Sequence, residues 1–320
     1  MKETGARRGE PAFAELLAAS NYSFLRGASH PGEMLARAWN LGMAGIGIAD
    51  RNTVAGVVRA HMAWRQIGGA ASGFRLVVGA RLVFSPDPED GHTPPDIVAY
   101  PRTRHGWGRL TRLLTLGNRR ASKGACTLHL RDLLDHAQDM ALIVTQPDRA
   151  TLHALRDACP GRVWLAATML RAGADARRLS ELRAISAALK VPLIATNDAL
   201  YTDADARPLH DILTCIREGA TIETAGRRLA ANAERHLKPP AEMARLFRAC
   251  PEAITATTDF LACITFTLDD LRYEYPHEPV PEGWEPQGWL EKLAQEGARA
   301  LFPDGLPENY RTVLAEEFSL

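Results

Sequence analysis

The stretch from Met140 to Thr196 decides the fold: MALIVTQPDRATLHALRDACPGRVWLAATMLRAGADARRLSELRAISAALKVPLIAT. Three short apolar runs (Met140–Thr145, Val163–Thr168 and Val191–Thr196) are separated by Arg149–Ala158 and Asp175–Leu189, whose apolar residues recur at helical spacing. The runs are apolar almost without interruption. A strand exposed on one face would alternate apolar and polar residues. These strands are therefore predicted to be buried on both faces, as in a parallel sheet covered by helices.

The same alternation continues toward the N-terminus. Candidate strands are Ala14–Ala19, Gly45–Ala49, Leu76–Phe84 and Asp96–Tyr100, with amphipathic stretches at Pro31–Leu41, Val54–Ile67 and Gly106–Leu116. Pro31 sits where a first-turn proline is tolerated, and Gly42 follows Leu41 where a helix would stop. Seven strand–helix units predict an α/β fold, a closed or nearly closed (β/α) barrel. An open doubly wound sheet is the alternative. No GxGxxG follows the first strand and no GxxxxGK[ST] occurs, so neither common nucleotide fingerprint supports it.

From about Thr221 the pattern changes. Helical patterns at Ala241–Ala249, Pro286–Leu301 and Glu308–Leu320 flank the proline-rich stretch YPHEPVPEGWEP at 275–286, where four prolines deny a regular helix. The expected organisation is a flexible N-terminus (1–12), a barrel (13–218) and a mostly helical extension (219–320). The last helix stops without a capping residue, as the front piece of something longer would. Trp284, Trp289, Leu290, Leu293, Leu301 and Phe302 are expected to form an exposed patch. Proteolysis is expected first at 275–290.

The composition is that of a globular chain: 46% hydrophobic and 24% charged residues over 320 positions. No apolar run is long enough to span a bilayer, and no apolar segment follows the charged N-terminus as in a secretory signal. Five cysteines without CxxC spacing fit reduced thiols in a cytoplasmic protein. The formal net charge is zero but unevenly spread. Twelve acids and four bases from Asp269 onward leave 34 bases against 26 acids before it. A body with that excess suits an anionic partner such as nucleic acid; an arginine-rich solvated surface with no partner explains it equally well.

In a parallel barrel the chemistry lies at the C-terminal ends of the strands. Those ends offer Ser20 and Asn21, then Asp50-Arg51-Asn52, then Asn197-Asp198. Asp50 and Asp198 follow apolar strands directly, and each could equally cap the helix that follows. None of the ten histidines has HxH, HxxH or HxxxH spacing, so spacing gives no zinc or manganese site. There is no GxSxG elbow. Asp203 and Asp205 could clamp a metal, but acids at a helix start also suit the helix dipole.

Six runs carry a resemblance: SNYSFLRGASHPGEML (20–35), IADRNTVAGVVRAH (48–61), VVGARLV (77–83), ATNDALY (195–201), AERHLKPPAEMARLF (233–247) and DDLRYEYPHE (269–278). They resemble the bacterial error-prone DNA polymerases, the damage-inducible branch of the C-family. The likeness covers that family's polymerase-and-histidinol-phosphatase (PHP) domain and the lead into the polymerase core. It implies a distorted seven-stranded (β/α) barrel of PHP type followed by a mostly helical C-terminal extension. The family's palm aspartates have no counterpart in this sequence.

The resemblance also implies where metal ligands would stand. The first motif, HxH, falls on Leu17 and Ala19, and the acid of the following DG on Arg26. The histidine of TDH falls on Arg51, with its acid kept as Asp50. The glutamate after strand three falls on Arg81. In the last motif, DxH, Asp198 is kept and the histidine is Leu200. Arginine stays protonated and cannot coordinate a cation, and three guanidiniums would repel one. The implied role is a scaffold with a degenerate metal site and no catalytic residues of its own. No cofactor would be bound by this chain, with Mg reserved for the full-length polymerase. The implied partners are DNA in the context of the full-length polymerase, a sliding clamp and other mutagenesis-cassette proteins, with no membrane. An autonomous PHP-type metal-dependent phosphoesterase is the alternative. Arg26, Arg51 and Arg81 are further expected to converge on the mouth and to pair with Asp50 and Asp198, unless they simply point to water.

Overall fold

The computed structural model describes residues 11–271 and 279–319. Residues 1–10 of the expected flexible N-terminus, and 275–278 of the proline-rich stretch, lie outside the described residues. Contacts divide the chain into two units, through Leu271 and from Arg272 onward.

The first unit is built on one seven-stranded sheet whose strands follow one another in chain order. They are β1 (Ala14–Ala18), β2 (Gly45–Arg51), β3 (Arg75–Leu82), β4 (Ile97–Pro101), β5 (Met140–Val144), β6 (Val163–Ala167) and β7 (Leu193–Ala195). All seven expected strands are present within a few residues. The helices that cover them are α1 (Pro31–Asn40), α2 (Val57–Gln66), α3 (Arg104–Arg119), α4 (Leu130–His136), α5 (Arg149–Ala158) and α6 (Asp175–Leu189). Next come α7 (Arg207–Glu218), the single turn α8 (Ile222–Ala225), α9 (Pro240–Leu246) and α10 (Glu252–Ala262).

The sheet is not wholly parallel as expected. β4 runs antiparallel to both β3 and β5, while the other pairs are parallel. The reason lies in the link from β3 to β4. A parallel return needs a crossover, usually a helix. The link contains SPDPEDGHTPP, whose prolines prevent one. The chain simply turns back. β4 is still buried along its whole length, so its apolar run does not reveal its direction.

Side chains alternate between two apolar layers. Ile46, Ile48, Val78, Ala80, Leu142 and Leu165 face the helices. Leu17, Val77, Val98, Tyr100, Ile143, Trp164 and Ile194 fill the interior, joined by Phe260 of α10. Phe260 meets the edges of Trp164 and Tyr100 at ring separations of 4.7 and 5.5 Å. Such pairs add about 0.5–1.5 kcal/mol beyond burial. Tyr100 lies across the interior and donates to the Leu16 carbonyl at 2.6 Å. Gly47 and Gly79 make room for it, since a Cβ on either would collide with its ring.

β1 and β7 are not paired as a strand ladder; the seam between them is bridged instead. The Ala19 amide donates to the Ala199 carbonyl at 2.9 Å, and the Ala28 amide to the Leu200 carbonyl at 2.8 Å. The buried Glu15 carboxylate accepts from the Thr196 hydroxyl and from the Asn197 amide. The barrel is thus nearly closed. Segment 219–271 packs with it, and α10 sits against β1 and β7.

In the second unit, α11 (Pro286–Leu301) coincides with the expected helix, and α12 (Glu308–Phe318) does so except at Ser319, with Leu320 outside the described residues. Neither buries a residue. Lys292 Nζ lies over the Trp284 and Trp289 rings, and the Gln287 side chain donates to the Phe318 carbonyl at 3.1 Å. Trp284, Leu290, Leu293 and Leu301 of the expected patch are exposed, while Trp289 and Phe302 are half-buried.

Candidate functional site

The C-terminal ends of the parallel strands converge on a mouth holding a cavity of about 240 Å³. Six arginines line it: Arg26 from the β1–α1 loop, Arg51 ending β2, Arg81 in β3, Arg217 from α7, and Arg228 and Arg235 from the segment after α8. Asp96, just ahead of β4, is the one acid in the wall among the described residues. It reaches the mouth because β4 is reversed and begins where its neighbours end.

Asp198 follows β7 with φ of 48°, a left-handed conformation that aspartate tolerates better than most residues. One carboxylate oxygen accepts from the Arg81 guanidinium and the other from that of Arg235. Arg235 also donates through Nε to the Asp198 carbonyl at 3.0 Å. Arg81 approaches Asp96 at 3.9 Å as well. Burial works against ionising Asp198, but Arg235 and Arg81 outweigh it and hold the carboxyl below its usual range.

Asp50 is held differently. It is 1% exposed and accepts from the Ser20 amide at 2.7 Å, the Ser20 hydroxyl at 2.8 Å and the Ser23 hydroxyl at 2.7 Å. The Ser23 oxygen accepts in turn from the Arg51 amide at 3.0 Å. No guanidinium bonds to Asp50 among the described residues. Burial dominates and raises its carboxyl above the usual value despite the serine bonds. Neither acid caps a helix. Asp50 pins the β1–α1 loop, and Asp198 pins Arg81 to Arg235.

Of the positions singled out in the sequence, Ala19, Arg26, Arg51, Arg81 and Leu200 line the cavity. Asp198 is bonded to two of its walls, and Asp50 lies one serine deeper. Leu17 is brought elsewhere, into the barrel interior at 1% exposure. Of the three arginines expected to pair with the two acids, Arg81 does so, at Asp198, where Arg235 joins it; Arg26 and Arg51 form no ion pair with either acid. The Asp203 carboxylate pairs with Arg37 at 2.6 Å rather than with Asp205.

Sequence reasoning missed Ser23, Asp96, Arg235 and the contribution of α7. That helix carries a usable signal. Its polar His210 and Thr214 are buried against the cavity, whereas Leu209, Ile212 and Ile216 are exposed. An ordinary surface helix buries the opposite face, so polar residues at i and i+4 on the buried side mark a lined site.

The donor set does not fit a divalent cation. Guanidiniums cannot ligate, and among the described residues no three His, Cys, Asp or Glu side chains gather as ligands would.

This barrel contains a PHP domain: residues 16–159 match that family. Along most of its length the chain is similar to error-prone DNA polymerases. It is 51% identical over 316 residues to that of Brucella abortus biovar 1 (strain 9-941), covering 96% of this chain and 29% of the relative. Identity is 47% over 319 residues with that of Rhodopseudomonas palustris (strain BisB5), covering 97% and 28%. It is 43% over 316 residues with that of Caulobacter vibrioides (strain ATCC 19089 / CIP 103742 / CB 15), covering 97% and 28%. The chain therefore spans under a third of the length of these relatives.

Proposed function

We propose that this chain is the N-terminal PHP portion of an error-prone DNA polymerase used in damage-tolerant (translesion) synthesis and repair. Its barrel acts there as a scaffold rather than as a hydrolase. The observation that carries the reading is the bridge Arg81–Asp198–Arg235. It commits Asp198, the acid that follows β7, to two fixed positive charges, where a metal enzyme would commit such an acid to a cation. The relatives' shared name supports the polymerase context. In that context DNA is the partner, Mg serves the downstream polymerase core, and a sliding clamp and mutagenesis-cassette proteins are the further partners, in the cytoplasm. Segment 219–320 leads from the barrel toward that core. No helix among the described residues is long and apolar enough to cross a membrane.

The test is enzymatic. Purified chain is expected to show no primer extension, and no phosphodiesterase turnover with Mn, Mg or Zn above a heat-inactivated control. Metal-dependent turnover abolished by Asp198→Ala would establish the alternative, an autonomous PHP-type phosphoesterase.

A further inference from the structure

The bridge accounts for only part of the positive charge at the mouth. Arg81 and Arg235 share Asp198, and Arg217 pairs with Glu218 at 3.0 Å. Arg26, Arg51 and Arg228 have no carboxylate partner among the described residues, yet all three face the same cavity. Arg51 and Arg81 are moreover register partners on adjacent strands. Like charges set side by side on a sheet repel, unless an anion lies between them.

A second, independent observation concerns buried polar atoms. Thr214 is 1% exposed and His210 7% exposed. The Thr214 hydroxyl and His210 Nδ1, with Arg81 Nε, are buried and without a hydrogen-bond partner, and all three residues line the cavity. Buried polar groups are ordinarily paired. Arg81 Nε can only donate, and the Thr214 hydroxyl and His210 Nδ1 can each donate; with the surrounding guanidiniums they are the complement of an oxyanion.

The ligand's size and charge can be read from the same wall. The cavity measures about 240 Å³. That is below the roughly 300–1,000 Å³ of pockets that enclose drug-sized molecules. A carboxylate would satisfy one guanidinium and leave the others facing one another. A phosphate or diphosphate group carries several charges and enough oxygens for several guanidiniums at once.

We propose that the barrel mouth is a metal-independent binding site for a phosphate or diphosphate group, held by Arg26, Arg51 and Arg228 with the Thr214 hydroxyl. The inference rests on the scaffold reading, because it needs the mouth free of metal. The group can belong to a free inorganic anion or to the 5′ end of a nucleic acid strand. No bond is made or broken.

Isothermal titration calorimetry at fixed ionic strength with EDTA tests it, using inorganic phosphate, inorganic pyrophosphate and one oligonucleotide with either a 5′-phosphate or a 5′-hydroxyl. Saturable binding of phosphate or pyrophosphate identifies a free anion. Saturable binding only of the 5′-phosphorylated strand identifies a nucleic acid end. In either case Arg26→Gln and Arg51→Gln should each weaken binding about tenfold, the loss of one charge-assisted contact. Thr214→Val should weaken it less, and Arg59→Gln on the exposed face of α2 should not change it. Circular dichroism confirms that the variants are folded. The proposal is overturned if no probe binds, or if both arginine variants bind as the parent does. Failure to bind leaves the scaffold reading standing. Binding that requires added Mn and disappears in EDTA overturns both.

Discussion

The loops after β2 and β7 each carry an aspartate to the barrel mouth, and the two acids are held by opposite means. Asp50 is enclosed by serine hydroxyls and a backbone amide, with no compensating charge bonded to it. Asp198 is gripped by two guanidiniums. Burial raises the Asp50 carboxyl. The same burial at Asp198 is overcome, and the carboxyl is lowered. The difference shows what a bonded cation does for a buried strand-end acid: with two guanidiniums the carboxyl titrates below its ordinary value, and with hydroxyls and an amide alone it titrates above. Arginine supplies that cation on the β7 side. On the β2 side the acid has become a structural tie for a loop.

Isosteric substitutions should separate the two. Asp198→Asn leaves Arg81 and Arg235 facing each other, and should cost about 3 kcal/mol, the lower end for breaking a buried pair, since the site is open to solvent on one side. Asp50→Asn removes a charge that burial disfavours and forfeits one acceptor, so it should cost about 1 kcal/mol. Urea denaturation of both variants beside the parent measures the two losses. A larger loss at Asp50 would reverse the comparison.

Acid titration sharpens it, because the two linkages have opposite signs. Asp198 has a folded pKa below its ordinary 3.8. Its contribution is complete above 3.8 and is lost as pH falls from there through the folded value. The gap between parent and Asp198→Asn should therefore narrow on going below 3.8. Asp50 has a folded pKa above 3.8. Its penalty is complete at neutral pH and is relieved as pH falls through the folded value toward 3.8. The gap between parent and Asp50→Asn should widen over that window. Stability measured in half-unit steps from pH 7 to pH 3 follows both; parallel slopes would contradict the assignment.

Much of this was legible in the sequence. The barrel follows from apolar runs such as MALIV and VWLAA, because burial on both faces leaves a compositional trace. The direction of β4 left none in its own residues; only the helix-free link before it reports the reversal. α10 was hidden for another reason. Its β-branched run ITATT is a poor helix former, and the helix exists because Phe260 and Leu261 plug the barrel interior. At the mouth, Arg51 and Arg81 could be placed together because both end near apolar strands. Arg235 could not be, since it lies 37 residues beyond Asp198 in a loop whose path no periodicity describes.

The smallest expected effect is at Arg51. Lacking a carboxylate partner, Arg51→Ala should change stability by less than about 0.5 kcal/mol, the range of ordinary surface positions. The contrast with Asp198→Asn places the holding force in the Arg81–Asp198–Arg235 bridge rather than in every arginine of the mouth. A loss at Arg51 as large as that at Asp198 would show a further acid bound there.

The central proposal is that guanidiniums, and not metal ions, hold the acid after β7 at this mouth. Inductively coupled plasma mass spectrometry of the chain, purified without chelator and dialysed against Mn and Zn, tests it most directly. The expected result is a substoichiometric content of both metals, the same in the parent and in Asp198→Ala. A full equivalent of either metal in the parent, lost in Asp198→Ala, would contradict it.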